Sequence, residues 1–566
     1  MLKPTLSRCL NLVPTVALIL VFGWAAWERF RLPLTPFADP DISAYLAPGL
    51  NALLGEPFRD WAGQCFLYPW FLYILLRIAG DFKWITLAQE ILGLGTGALL
   101  LACWLELRHL LPAPRLPRWV FKLLGVELVA VYLLSTATIL FERTLRPESV
   151  SPFVVILQVY CNLRFIRARF LNPEPRRFIL SGTSAIFLSV AASLLKPSFF
   201  GALPFANLPV IISVFRPGQR VWGKVLLLGV SVTAVTLLLI WPESTLRSRD
   251  PAASRYFWQS LFSLHGNLIN KQMTEDIARH RAARYSLEFL TATQVALTNA
   301  LDESRGGNAH YWPALGFNGD YLRFGGPGKT AFLSQLTSRL GGEDRTSDFC
   351  RYYYWRTVRG QPAGMAEKIA RQFAVFYSPR RCPAYFSYGS LNLADQYQQT
   401  VSCLRGLPKL QRYPPGASLL ASATALSDNA LSIGPYKITP RISLFMARTH
   451  LYWFLLAGVL TILSWKKLIA FRTVLLVLLL LYCYNFGTVL ALAVGHSLDV
   501  GRYSQYQFAY TILPDFVSIW LAIEIFLVAV NFGSSASHRI DNVKAARPRD
   551  ACPTRKRPGA APGTKQ

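Results

Sequence analysis

Four acids sit close together near the amino terminus: Asp39, Asp41, Glu56 and Asp60. Asp41 and Tyr45 are four residues apart, so a helix would set them on one face. Ile42, Tyr45, Leu46, Leu50, Leu53 and Leu54 give that helix an apolar side. An amphipathic helix beside a membrane span lies in the interface. A carboxylate held there is suited to act as a general base toward a hydroxyl or an amine. The plainer alternative is that Asp39 and Asp41 only flank Pro40, as turn and N-cap residues.

Further charges recur at the ends of apolar runs. The stretch FERTLRPESVSPF holds Glu142, Arg143, Arg146 and Glu148, and SLLKPSFF holds Lys196. A late loop holds His496, Asp499, Arg502 and Tyr503. Such bases suit an anionic head group such as a phosphate. The simpler readings are a Glu142–Arg146 ion pair one helical turn apart, a Lys196 that snorkels to the interface, and an Arg502 that merely flanks a span. Glu90, Glu127, Asp515 and Glu524 fall inside apolar runs, where structural pairing is expected. His265, His280 and His310 show no metal-ligand spacing.

These residues must be carried by membrane helices. The chain has 566 residues, 52% hydrophobic and only 16% charged, with a mean hydropathy of +0.30. Several runs approach the ~20 apolar residues that cross a bilayer. The pattern predicts a mainly α, polytopic bundle of about ten spans: 10–27, 84–105, 120–141, 150–166, 178–195, 199–215, 225–241, 443–463, 474–494 and 508–532. The net charge of +28 falls largely in short loops and in the C-terminal tail, as the positive-inside rule requires. It therefore points to membrane lipids and not to nucleic acid. Phe66–Ala79 is apolar but short, with Pro69 near its start and Arg77 inside it. Were it to cross, three basic loops would move outside, so an interfacial or re-entrant helix is expected.

The organisation expected from this pattern has four parts. Residues 1–241 form a transmembrane module whose first outer loop is 28–83. Residues 242–441 form a mostly helical periplasmic domain, in which Gly306–Gly328 is a Gly- and Pro-rich loop. Residues 442–533 form the last spans, and 534–566 a disordered basic cytoplasmic tail. Both termini are then cytoplasmic in a multi-pass protein of a bacterial inner membrane. Cys350, Cys382 and Cys403 share the polar stretch, and a disulfide among them suits an oxidising compartment.

The order of these features resembles the GT-C superfamily of membrane glycosyltransferases, of the aminoarabinose transferase and protein O-mannosyltransferase type. The residues that carry the likeness are Asp41-Ile-Ser-Ala-Tyr45, Asn51-Ala-Leu-Leu-Gly55, Tyr68-Pro69, Glu148 where Asp is common, Leu195-Lys196-Pro197 with Pro204, and Arg502-Tyr503. The likeness covers about residues 1–240 well and the last spans loosely; the domain 242–441 matches nothing in it. It implies transfer of a sugar from a polyprenyl-phosphate donor to a lipid, glycan or protein acceptor at the periplasmic face, with inversion. Asp41 is then the general base and Asp39 the reserve. Glu148 orients the acceptor or a positive partner. Lys196, Arg502 and Arg146 hold the phosphate, and Tyr45 and Tyr503 shape the sugar site. No cofactor is required, although some relatives bind a divalent cation. Two rivals stand beside this reading. A lipid-linked glycan polymerase or ligase would rely on Arg323, Arg351 and Arg356. A transporter or scaffold would line a path with Glu90, Glu127, Asp515 or Glu524.

Overall fold

The computed structural model describes residues 4–545 except 60–64, 173, 217–220, 251, 282–283, 306–314, 327, 379–381, 383–384, 386–390, 429–430, 435–437, 466–467 and 496–499. Part of the Gly306–Gly328 loop, together with Asp60, His310, His496 and Asp499, thus lies outside the described residues, as does the end of the tail.

The chain is mainly α. Its first half contains α1 (Pro4–Phe30), α2 (Ile42–Leu53), α3 (Leu67–Ala79), α4 (Lys83–His109), α5 (Arg118–Leu133), α6 (Thr136–Arg143), α7 (Ser151–Ile166), α8 (Pro175–Leu195), α9 (Leu203–Phe215), α10 (Val221–Val235) and α11 (Trp241–Ser248). Among the described residues, eight helices are long and apolar enough to cross a membrane. A ninth span is counted if α5 and α6, bent by 52°, are taken as one. The expected ten are therefore not all met. The difference lies in α7, which has only 16 residues and carries Gln158, Asn162 and Arg164. It is nonetheless enclosed, packing on α4 and α8. Gln158 and Asn162 both donate to the Ala206 carbonyl, which satisfies polar groups that lipid could not. The helix α3, at 13 residues, is too short to cross and packs on α2.

The middle of the chain folds into two polar units. The first contains α12 (Ala252–Leu264), α13 (Gly266–Ala278), α14 (Leu287–Arg305), α15 (Gly319–Phe324), α16 (Phe332–Leu340), α17 (Glu343–Gly360) and α18 (Pro362–Phe376). Its core joins Phe262, Ile269, Met273, Leu297, Phe349 and Tyr353. The second contains α19 (Leu393–Arg405), α20 (Pro408–Arg412) and α21 (Pro414–Leu426), closed by a two-residue antiparallel pairing of Leu391 with Ile433. Among the described residues, no apolar cluster joins this unit to the first. Leu404, Leu410 and Leu419 instead share a core with Ile42, Tyr45, Leu46, Tyr68 and Leu72 of α2 and α3. A continuous polar stretch in the sequence thus hides a cap that belongs to the first loop. Cys350, Cys382 and Cys403 lie in or against three different apolar clusters, so no disulfide joins one of them to another.

The bundle closes with α22 (Ile438–Ser464), α23 (Arg472–Gly495) and α24 (Val500–Ala545). The last helix runs past residue 533 because the sequence offers no proline after Pro514 until Pro548.

Candidate active site at one end of the bundle

The site is built on one backbone contact. The Phe37 amide donates to the Arg143 carbonyl at 2.8 Å, and the Leu145 amide donates to the Phe37 carbonyl at 3.0 Å. This short parallel bridge stitches the first loop to the turn after α6 and so sets residues 39–41 beside residue 146. Two bonds from the cap hold the same strand: Tyr397 Oη donates to the Thr35 carbonyl at 3.0 Å, and the Ala38 amide donates to Thr400 Oγ1 at 3.0 Å. From below, Gln89 Nε2 donates to the Glu142 and Thr144 carbonyls at 3.0 and 2.9 Å.

The charges meet around this stitch. Asp39 Oδ1 accepts from the Asp41 amide at 2.9 Å, an Asx turn across Pro40. Asp41 occupies the N-cap position of α2, but its side chain makes no capping bond. Arg146 pairs with Asp39 and also reaches Asp41, Nη2 to Oδ2 at 3.5 Å. The two carboxylates differ in access: the side chain of Asp39 is 13% exposed and that of Asp41 is 38% exposed. Arg146, expected to hold phosphate, is thus engaged by both acids of the first loop.

A 3₁₀ turn, Pro147–Ser149, carries the chain two residues on to Glu148, which is buried and paired with Lys196 at the end of α8. The Lys196 ammonium also lies 4.6 Å from the centre of the Tyr503 ring, a cation–π contact. Lys196 does not snorkel; it is buried. Its position is fixed by the turn Pro197–Gly201, which lies backbone to backbone on α23. A methyl group at Gly201 would overlap the Gly487 carbonyl, and one at Gly487 would overlap the Gly201 carbonyl. Tyr45 is buried beside Tyr68, ring edge to ring face at 5.5 Å. The side chain of Arg502 lies outside the described residues.

Below the site sits an ion network. Glu142 does not pair with Arg146. It accepts from Arg29 Nε at 2.6 Å and Arg29 Nη2 at 3.0 Å, while Arg143 pairs with Glu90. Gly93 of α4 makes room for the Glu142 carboxylate, which a side chain there would strike. Arg29 had no distinguishing signal in the sequence beyond being charged at the end of an apolar run. Nor did the cap residues Tyr397 and Thr400, which lie far along the chain.

At the rim, Glu56 pairs with Lys409 at 3.1 Å and Arg412 at 3.3 Å. The hydrogen bond from Lys409 holds its carboxyl below the usual range. Elsewhere two acids of the spans are satisfied internally. Asp515 accepts from Tyr482 at 2.8 Å and from Tyr385, and it lies 3.1 Å from His450 Nδ1. Glu524 accepts from the Arg115 and Leu116 amides and from Trp520 Nε1. Glu127 faces outward. Arg323 and Arg351 lie over Tyr256 and Trp258, and Arg356 pairs with Asp276. His265 is buried and His280 exposed. Among the described residues, no three His, Cys, Asp or Glu side chains gather as a metal site.

No family model and no curated protein matches the chain. Among solved structures, the chain is similar to ArnT from Cupriavidus metallidurans bound to undecaprenyl phosphate. That likeness covers 90% of this chain and 77% of the other, at 13% identity and a TM-score of 0.27. The same protein in the apo state gives 88%, 77%, 12% and 0.27. A likeness at this level decides nothing about the site, whose geometry stands on this chain's own residues.

Proposed function

We propose that this protein is a membrane glycosyltransferase that moves a sugar from a polyprenyl-phosphate carrier to an acceptor at the periplasmic face. The observation that carries the reading is the turn from Thr144 to Ser149. It delivers Arg146 to the two first-loop acids and Glu148 to Lys196, which in turn meets the Tyr503 ring. A partly exposed carboxylate and a buried cation are thereby brought to one end of the bundle, beside the apolar face of α2 and α3. Separated acid and cation at a lipid boundary are what a displacement on a lipid phosphate requires.

The acceptor approaches Asp41, which takes its proton. The acceptor lone pair bonds to the anomeric carbon as the bond from that carbon to the phosphate oxygen breaks. The electron pair leaves with the phosphate, and the configuration inverts. Lys196 meets the charge that grows on the phosphate, with Glu148 holding the ammonium in place and yielding part of it to the incoming anion. Tyr503 lines the same side. Arg146 positions the two acids. Asp39 turns the chain so that Asp41 faces outward. Tyr45 packs beneath the sugar.

The test compares wild type with Asp41→Asn, given radiolabelled polyprenyl-phosphate sugars and a crude envelope acceptor fraction. Label transfer by wild type, lost in the variant while carrier binding persists, is the expected result. Equal transfer by both proteins would move the base to Asp39. Failure of wild type with every carrier, alongside measured binding of none, would overturn the reading.

A further inference from the structure

The first polar unit has an aromatic and arginine-rich strip that the transfer reading does not use. Phe257 is 54% exposed, Phe324 67% and Trp355 45%. They fall into two groups on α12 and its neighbours, each with an arginine. Arg323 lies 3.4 Å from the Tyr256 ring centre and 5.1 Å from that of Phe324. Arg351 lies 5.4 Å from the Trp258 ring centre, and Trp258 in turn contacts Phe257 and Trp355, with ring centroids 5.0 and 6.5 Å away. Large exposed rings on a polar unit mark a surface that something covers.

We propose that this strip is a membrane-seating surface that takes the anionic head-group layer of the bilayer beside the protein. Its place in the fold supports a lipid occupant. The span Val221–Ser248 ends only a few residues before α12 begins at Ala252. The helix α12 also touches α23, a spanning helix. The start of α12, which carries Tyr256, Phe257 and Trp258, therefore lies close to the end of a span. Rings with an apolar body, mixed with cations, are the composition of an interfacial belt, and arginine favours phosphate through its planar fork. A carbohydrate platform would need acids or amides beside the rings to bind hydroxyls. Here Glu343 and Asp344 are committed to Arg255 and Asp276 to Arg356, and the exposed Asp348 lies one turn before Arg351 on α17. Seating would hold the first polar unit down on the bilayer, so that α18 keeps its contact with α23 and Tyr503.

The experiment is hydroxyl-radical footprinting of the full-length protein in nanodiscs of neutral or anionic lipid. Leu287 and Val295, exposed on α14, are the internal reference. Two arginines at a charged surface predict a seating equilibrium about thirtyfold more favourable on anionic lipid. Phe257, Phe324 and Trp355 are then protected in anionic nanodiscs relative to Leu287 and Val295. The double variant Arg323→Glu and Arg351→Glu loses that protection while the reference residues label as before. Equal labelling of the strip in both lipids would overturn the proposal. So would protection that appears only when a free dextran oligosaccharide is added, which would make the strip a carbohydrate platform. Because the readout is lipid contact, it stands or falls separately from sugar transfer.

Discussion

Asp515 and Asp41 both meet hydrogen-bond donors, and they have opposite fates. Around Asp515, the donors Tyr385, Tyr482 and His450 close over the acid, which is 0% exposed. Around Asp41, the partner Arg146 stands off at 3.5 Å, and the side chain remains 38% exposed. Composition alone would rank the Asp515 cluster as the better catalytic candidate, since it has the acid, the imidazole and the phenols. Access reverses the ranking. A carboxylate whose lone pairs are filled by its own helices stabilises their packing. One that keeps an open side can take a proton from a substrate.

That contrast can be broken by experiment. The largest effect expected is at Asp41. Asp41→Asn lowers the transfer rate by about 10²–10⁴-fold, with an unfolding midpoint close to that of wild type. A variant equally slow and grossly unstable would dissolve the distinction between the two clusters. Asp515→Leu gives the reverse pattern. It takes the acceptor from Tyr385 and His450, while Tyr482 keeps Ser518 Oγ at 3.0 Å, and lowers stability by about 3–5 kcal/mol. The specific activity of the surviving folded fraction stays within a few-fold of wild type. Loss of activity without loss of stability would give the sealed cluster a chemical role.

Smaller effects sharpen the picture at the cation side. Lys196→Met removes a charged hydrogen-bond donor worth roughly 1.5–3 kcal/mol. It should therefore lower kcat/KM for the donor by about 10–100-fold. An unchanged kcat/KM would remove Lys196 from the phosphate side.

The smallest effect concerns the seat of the first polar unit. Lys368 of α18 is buried, and its Nζ donates to the Ala493 carbonyl near the end of α23 at 2.8 Å. Burial pushes its pKa down from 10.5 to about 7. The unfolded chain therefore binds this proton more readily than the folded one, and stability falls as pH drops from about 10.5 toward 7. Lys368→Met abolishes that slope. The variant gains on wild type at pH 7, and the gain shrinks as pH rises, as thermal unfolding at several pH values would record. The neighbouring His265 is likewise pushed down, to about 3, by its burial, so it stays neutral through this range. A difference between the two proteins that ignores pH would mean Lys368 is held by something other than the helix end.

Much of the scaffold was legible without coordinates. Apolar runs of span length, separated by basic loops, gave the α bundle, and the charge of those loops excluded α3 as a crossing. The residues expected at the site also come together in part: Asp39, Asp41 and Arg146 in one group, Glu148, Lys196 and Tyr503 in the next. Their pairing was not legible. Helical spacing suggested Glu142 with Arg146, but the break after Arg143 turns those two residues to different partners. The bent α5–α6 and the 16-residue α7 were read as ordinary spans because hydropathy averages over a window and does not register a kink or polar groups satisfied by a neighbouring helix.

The sequence by itself determined which segments must enter lipid, because an unpaired backbone in hydrocarbon forces helices of fixed length on apolar stretches. It also determined which residue types could do acid–base and phosphate chemistry. Only the tertiary structure decided which carboxylate is open and which is sealed. That choice rests on contacts across more than a hundred residues of chain: Phe37 on Arg143 and Leu145, Thr400 on Ala38, Tyr385 on Asp515. Local spacing carries no information about such contacts, since they follow from how whole helices pack and not from the order of neighbours along them.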